Sequence, residues 1–167
     1  MVRRNSNEFC RCIIRAFDLC SFKQCCFKSF FRDCDTFPLS QNKATMVKFM
    51  RAMNTVLQRG DFVLIYPEES LWPGYKKPKP LKNGAFYFAV KNNVPIIPIF
   101  ITMEGSGVKD ENGNEIPDYT INIGKSISQN ADKTSKENIE EMKNQNYDFC
   151  KKVYEDFYKT SLIYEKQ

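Results

Sequence analysis

From Asp35 onward, apolar and polar positions fall into short regular blocks. Phe37–Pro38–Leu39 reads as extended, and Ser40, Gln41 and Asn42 offer helix-capping side chains. Val47, Met50, Met53, Asn54 and Leu57 recur at steps of three and four, which predicts an amphipathic helix over 44–58, closed by Gly60. Phe62 to Tyr66 (FVLIY) has the length and content of a buried strand, ended by Pro67. A loop rich in Pro and Lys follows over 67–81. A helix is expected from Asn83 to Asn92, burying Phe86, Ala89 and Val90. Val94 to Thr102 predicts a second strand, with Pro95 and Pro98 marking an edge or an irregular start. Gly105 to Pro117 reads as a polar loop with a turn at Asn112–Gly113, and Tyr119 to Gly124 as a third strand. Thr134 and Glu137 form a capping box. The helix they start runs to about Thr160 and is expected to bury Ile139, Met142, Phe149, Val153 and Phe157. Helices alternating with short apolar strands indicate an α/β class. The strand–helix–strand order predicts that 62–66 and 96–102 are neighbouring parallel strands joined by the 83–92 helix.

Upstream the pattern changes. Residues 9–31 are crowded with Cys and Phe, and their weak periodicity fits one or two short helices. Six of the seven cysteines lie in the first 34 residues, which also carry a net charge of +4 out of +5 for the chain. This basic stretch is read first as a solvated terminal helix, with contact to an anionic surface as the alternative. The expected division is therefore 1–31, a basic Cys/Phe-rich segment, and 32–167, a globular domain. Whether 1–31 is native to that domain stays open. The cysteine spacings are poor for a structural zinc site, no signal peptide is visible, and free thiols in a reducing compartment are expected. The longest apolar run, Val94 to Ile101, is broken by two prolines and is far short of the ~20 residues of a spanning helix. The chain has no histidine. Serine triads, Cys–His pairs and imidazole bases are thereby excluded for these 167 residues.

The densest chemistry follows the first strand. Glu68 and Glu69 stand at its C-terminal end, where open α/β sheets bind ligands. Ser70 comes next, and Lys76, Lys77, Lys79 and Lys82 follow in the loop. Lys82 stands at the start of a helix whose free N–H groups already favour an anion, which makes a phosphate pocket plausible beside the alternative of solvated loop lysines. Trp72 and Tyr75 either line such a pocket or pack the loop. Adjacent carboxylates on one loop do not reach opposite sides of a glycosidic bond, which disfavours an acid/base pair of the glycosidase type.

These residues resemble the glycerolipid acyltransferases, the lysophosphatidic acid acyltransferase family. Tyr66–Pro67–Glu68–Glu69–Ser70 is similar to the family's F-P-E-G-T-R block, Leu81–Lys82–Asn83–Gly84–Ala85 to F-K-x-G-A, and Val94–Pro95–Ile96–Ile97–Pro98–Ile99 to V-P-I-V-P-V. Asp35 to Ser40 sits where the block ending in I-D-R belongs. The resemblance covers roughly residues 32–125. It implies a partial acyltransferase-like sheet with flanking helices. It also implies acyl transfer from acyl-CoA or acyl carrier protein, as co-substrate, to a lysophospholipid such as 1-acyl-glycerol-3-phosphate, in phospholipid biosynthesis. No resident cofactor, metal or nucleic-acid partner is implied. The implied location is cytoplasmic and peripheral to a membrane surface. The departures are specific. The H-x-x-x-x-D block, whose His takes the acceptor's proton, is missing, so the chain is expected to be the C-terminal part of such a domain and inactive as it stands, with no catalytic residue of its own. The motif Gly is Glu69, and the motif Arg falls at Leu71. The Arg of the second block falls at Leu39 or Ser40. Lys76, Lys77, Lys79 or Lys82 are the replacements at hand, though an ammonium lacks the planar guanidinium fork. Glu68 remains in the motif, either near the acceptor or as a cap on loop N–H groups. The alternative function is a non-catalytic module holding phosphate or lipid head groups on the same scaffold.

Overall fold

The computed structural model describes residues 14–18, 37–39, 43–68 and 74–164. The chain divides into two compact units, Met1–Ser70 and Leu71–Gln167. In the first, β1 (Ile14–Asp18), β2 (Phe37–Leu39) and β3 (Val63–Ile65) form a parallel sheet in the order β2-β1-β3. Ala16 stands opposite both Phe37 and Ile65. Pro38 lies in an outer strand of this sheet, as its missing N–H requires. Where short helices were expected around residues 14–18, the chain forms the central strand. Arg15 and Asp18 interrupt its apolar run, so local pattern understates a strand that two neighbours satisfy by backbone pairing.

α1 (Lys43–Gln58) lies against β2. It buries Phe49 and Met53, one turn apart, while Val47 is exposed. The buried stripe is thus turned from the one predicted, with Met53 common to both. The end of α1 is as expected. Gly60 takes φ +78° and its N–H bonds the Leu57 carbonyl (3.1 Å), and Asp61 N–H bonds that of Val56 (3.3 Å). This is a Schellman closure, in which glycine meets no Cβ penalty. β3 is shorter than the predicted 62–66 and half-buried. Phe62 and Tyr66 at its ends are exposed.

The second unit holds α2 (Gly84–Asn92), β4 (Ile99–Lys109), β5 (Glu115–Ile123) and α3 (Ser135–Tyr158). β4 and β5 form an antiparallel hairpin. The expected parallel pairing of 62–66 with 96–102 is therefore not formed, since β3 pairs with β1 and β4 with β5. Most of the predicted polar loop 105–117 is strand. Its glycines serve the irregularity between Gly105 and Lys109: Gly107 has φ +75°, and a Cβ on Gly105 would meet the Glu115 carboxylate at 2.5 Å. The turn at 112–113 is as predicted. The Asp110 carboxylate accepts N–H bonds from Asn112 (2.9 Å) and Asn114 (2.8 Å), and Gly113 has φ +81°. These bonds, led by the one from the Asn114 backbone, hold the Asp110 carboxyl below its ordinary range.

Phe86, Ala89, Ile127 and Met142 make one core cluster, joining α2 to α3. Phe100, Cys150 and Tyr154 make another, joining the hairpin to α3. The buried stripe of α3 runs through Asn138, Met142, Asn146, Cys150 and Tyr154. Of the residues predicted there, Met142 is buried, while Ile139, Phe149, Val153 and Phe157 are half-buried. The pattern missed the asparagines because they are polar. Asn138 is buried because it staples the preceding loop, accepting from Asn130 N–H (2.7 Å) and donating to the carbonyls of Asn130 (2.9 Å) and Lys133 (3.1 Å). A buried amide whose donors and acceptor are all engaged is tolerated.

Candidate functional site

Glu68 lies in the turn directly after β3, at the C-terminal end of the parallel sheet, and is half-buried. That end of such a sheet is where ligands are expected. Glu69, Ser70 and Trp72 lie outside the described residues. Glu68 belongs to the first unit and the four lysines to the second.

The lysines, read as one cluster, have four different surroundings. Lys76 Nζ sits over the Tyr158 ring, 5.5 Å from its centroid, at the end of α3. Lys77 Nζ donates to the Ile163 carbonyl (2.9 Å). Lys79 is buried, with its Nζ 5.0 Å from the centre of the Tyr75 ring. Tyr75 thus packs the loop. Lys82 is exposed at the threshold of α2. The C-terminal residues bind the same loop a second time: the Tyr164 hydroxyl donates to the Pro78 carbonyl and lies 2.6 Å from the Tyr147 hydroxyl. Three of the lysines are therefore packed against aromatic rings or the chain's own backbone.

The start of α2 is the feature that residue types alone did not disclose. Asn83 occupies the N-cap position with helical angles, φ −75° and ψ −12°, and its side chain makes no capping bond. Its Nδ2 donates instead to Glu140 Oε1 (3.1 Å), and its Oδ1 accepts from Lys143 Nζ (3.0 Å). Lys143 also pairs with Glu140 Oε2 at 2.6 Å. The hydrogen bond from Lys143, above all, holds the Glu140 carboxyl below its ordinary value. With its cap side chain engaged on α3, the first turn of α2 has no side-chain acceptor from Asn83. Its outward N–H groups remain a partial positive charge. Asn83, Gly84 and Tyr87 border an open surface cleft of about 580 Å³, closed on the other side by Ser135, Lys136, Ile139 and Glu140 of α3. Lys136 and Glu140 are the charged residues of its lining, and Glu140 is paired with Lys143. No group of three or more potential metal-ligating residues occurs among the described residues.

A parallel sheet ending in Pro-Glu in one unit, and a helix-and-hairpin unit that opens on a basic loop, define an α/β class of protein. The acyltransferase family model matches residues 10–102, which take in β1 to β3, Glu68, all four lysines and α2. The chain belongs to the acyltransferase family. Its fold is similar to the crystal structure of the 1-acyl-sn-glycerophosphate (LPA) acyltransferase PlsC from Thermotoga maritima. The TM-score is 0.54 at 18% identity, over 92% of this chain and 68% of that one. No curated protein matches the chain. Among the described residues, no helix is long and apolar enough to cross a membrane.

Proposed function

We propose that this chain carries the acceptor-binding part of a glycerolipid acyltransferase and works in phospholipid biosynthesis. The acyl group comes from acyl-CoA or acyl carrier protein and goes to a lysophospholipid such as 1-acyl-glycerol-3-phosphate. The observation that carries this reading is the family match over 10–102, which spans both Glu68 and the Lys82–Asn83–Gly84 helix start. The likeness to the PlsC fold supports it.

In this reading the uncapped first turn of α2 and Lys82 receive the acceptor's phosphate, because oriented N–H groups and an ammonium both favour an anion. Glu68, Glu69 and Ser70 stand towards the acceptor, and Lys76, Lys77 and Lys79 support the basic wall. The protein works at the cytoplasmic face of a membrane, where its acceptor resides, by peripheral contact.

The 167 residues contain no histidine. A base that takes the hydroxyl proton as the thioester is attacked contributes roughly 10²–10⁴-fold. A carboxylate near its reference pKa of ~4.3 is a poor substitute for it. These residues alone are therefore expected not to turn over. The test is a radiolabelled acyl-CoA assay with lysophosphatidic acid, on the chain alone and with an H-x-x-x-x-D segment grafted upstream. Turnover by the graft alone supports the reading. Turnover by the unmodified chain that is lost in Glu68→Gln makes Glu68 the base. Phosphate binding with no turnover in either form favours the second reading, a non-catalytic head-group module, which the uncapped α2 start supports equally.

A further inference from the structure

The β4/β5 hairpin has two unlike faces. Alternate side chains of a strand point to opposite sides. On one side Phe100 packs with Cys150 and Tyr154 of α3, and the Phe149 ring lies against Gly124. On the other side the register sets Ile99 opposite Ile123, Ile101 opposite Ile121 and Met103 opposite Tyr119. Ile99, Ile101, Tyr119, Ile121 and Ile123 are 44% to 67% exposed. Paired β-branched side chains on a pleated surface are the pattern of a face that is covered. Monomeric proteins rarely leave an apolar patch of more than a few hundred Å² open.

We propose that this face is an interface with a second copy of the same chain, packed ribbon on ribbon about a two-fold axis. Two observations favour that occupant. The first is size. Five large side chains, each about half exposed, present on the order of 500 Å² if one in full presents ~150–200 Å². With a polar rim, that approaches the ~800 Å² per partner of a standard interface. The second is charge. Glu115 lies on the same side of β5 as Ile121, and its carboxylate folds over Gly105. Lys125 continues the alternation past the strand end, where Gly124 N–H still bonds the Pro98 carbonyl (2.8 Å). Glu115 and Lys125 are equidistant in sequence from Thr120. A two-fold axis that lies between the two faces, level with Thr120 and at right angles to the strands, lays the two β5 strands antiparallel and sets each Glu115 against the other copy's Lys125. An isologous contact of this kind is self-complementary by construction. An anionic lipid surface fits less well, because Asp110, Glu111, Glu115 and Asp118 make that end of the hairpin acidic.

Sedimentation velocity on the full chain in reductant, over a concentration series, tests this. The expected result is a monomer–dimer equilibrium whose Kd rises at least ~10-fold in Ile121→Lys. Lys125→Glu is expected to raise it roughly 3–10-fold, and Glu115→Lys in the same chain to restore it. Both sites are exposed, and circular dichroism with hairpin hydrogen exchange verifies that the variants are folded. A chain that stays monomeric throughout overturns the proposal. So does a dimer indifferent to Ile121→Lys, or one that the charge swap fails to restore. Ile121-dependent binding of a monomer to phosphatidylcholine vesicles overturns it in favour of a lipid surface.

Discussion

α2 and α3 begin in opposite ways. α3 opens on a complete capping box. Thr134 is extended, at φ −64° and ψ 159°, its Oγ1 accepts from Glu137 N–H (3.3 Å), and its own N–H donates to Glu137 Oε2 (2.8 Å). α2 opens on an asparagine whose amide is held by Glu140 and Lys143, with no capping bond. One helix start is satisfied by its own sequence. The other is left with free donors by a tertiary contact. Free donors cost helix stability and offer an anion a place to bind, so the two starts differ in what they are suited to do.

The largest effect expected from this difference concerns what holds α2 in place. With no cap, α2 depends on Phe86, which is fully buried in its cluster. Phe86→Ala is expected to destabilise the second unit by ~3–5 kcal/mol, read by chemical denaturation. A loss below that of a cap deletion means that α2 is held elsewhere. Thr134→Ala removes the box and is expected to cost ~1 kcal/mol. Asn83→Ala removes only an exposed link and is expected to cost less, within the ~0–1 kcal/mol of surface pairs. If Asn83→Ala matches or exceeds Thr134→Ala in thermal melts, the contrast fails.

Acid sharpens the same contrast. The hydrogen bond from the Thr134 side chain, then that from its backbone, lowers the Glu137 carboxyl below its ordinary 4.5. A carboxyl lowered by folding stabilises the fold at pH above its unfolded value, and that contribution is lost as pH falls through the lowered value. Stability should therefore decline below about pH 4.5 in the wild type, and Glu137→Gln should flatten that part of the profile. An unchanged acid limb in Glu137→Gln means that the box does not respond to protonation. The smallest effect belongs to α2. Phosphate titration is expected to shift the amides of Gly84 and Ala85 and leave those of Ser135 and Lys136 in place. Lys82→Ala is expected to weaken binding about 2–5-fold, the range for one charge near a helix end. Equal shifts at both helix starts remove the distinction.

The capping box, the Gly60 stop and the Asn112–Gly113 turn were legible because each is specified within a few residues. Phe86 and Ala89 were legible from helical spacing. Strand partners were not. The apolar runs at 62–66 and 94–102 look alike, and what sends β4 into a hairpin is the Asp110 turn beyond it together with two glycines that read as loop. β1 was hidden by an arginine and an aspartate in a cysteine-rich setting. Of the candidate site, the placing of Pro67–Glu68 after a strand and of Lys82 before a helix was legible. The release of the α2 cap was not, since Glu140 and Lys143 come from a helix far along the chain. Nor were the separate surroundings of Lys76, Lys77 and Lys79, which depend on Tyr158, Ile163 and Tyr75.

The bond that Lys77 donates to the Ile163 carbonyl and the one that the Tyr164 hydroxyl donates to Pro78 make the chain's last described residues a clasp on the lysine loop. Tyr164 also meets Tyr147, and Lys76 lies over Tyr158, so these last residues, the loop and the end of α3 form one linked patch that opens cooperatively. A protease that trims the tail would therefore also loosen the loop. Lys77 would then exchange a fixed carbonyl for solvent and regain its reach, so processing at one end of the chain would change the charge displayed ahead of α2.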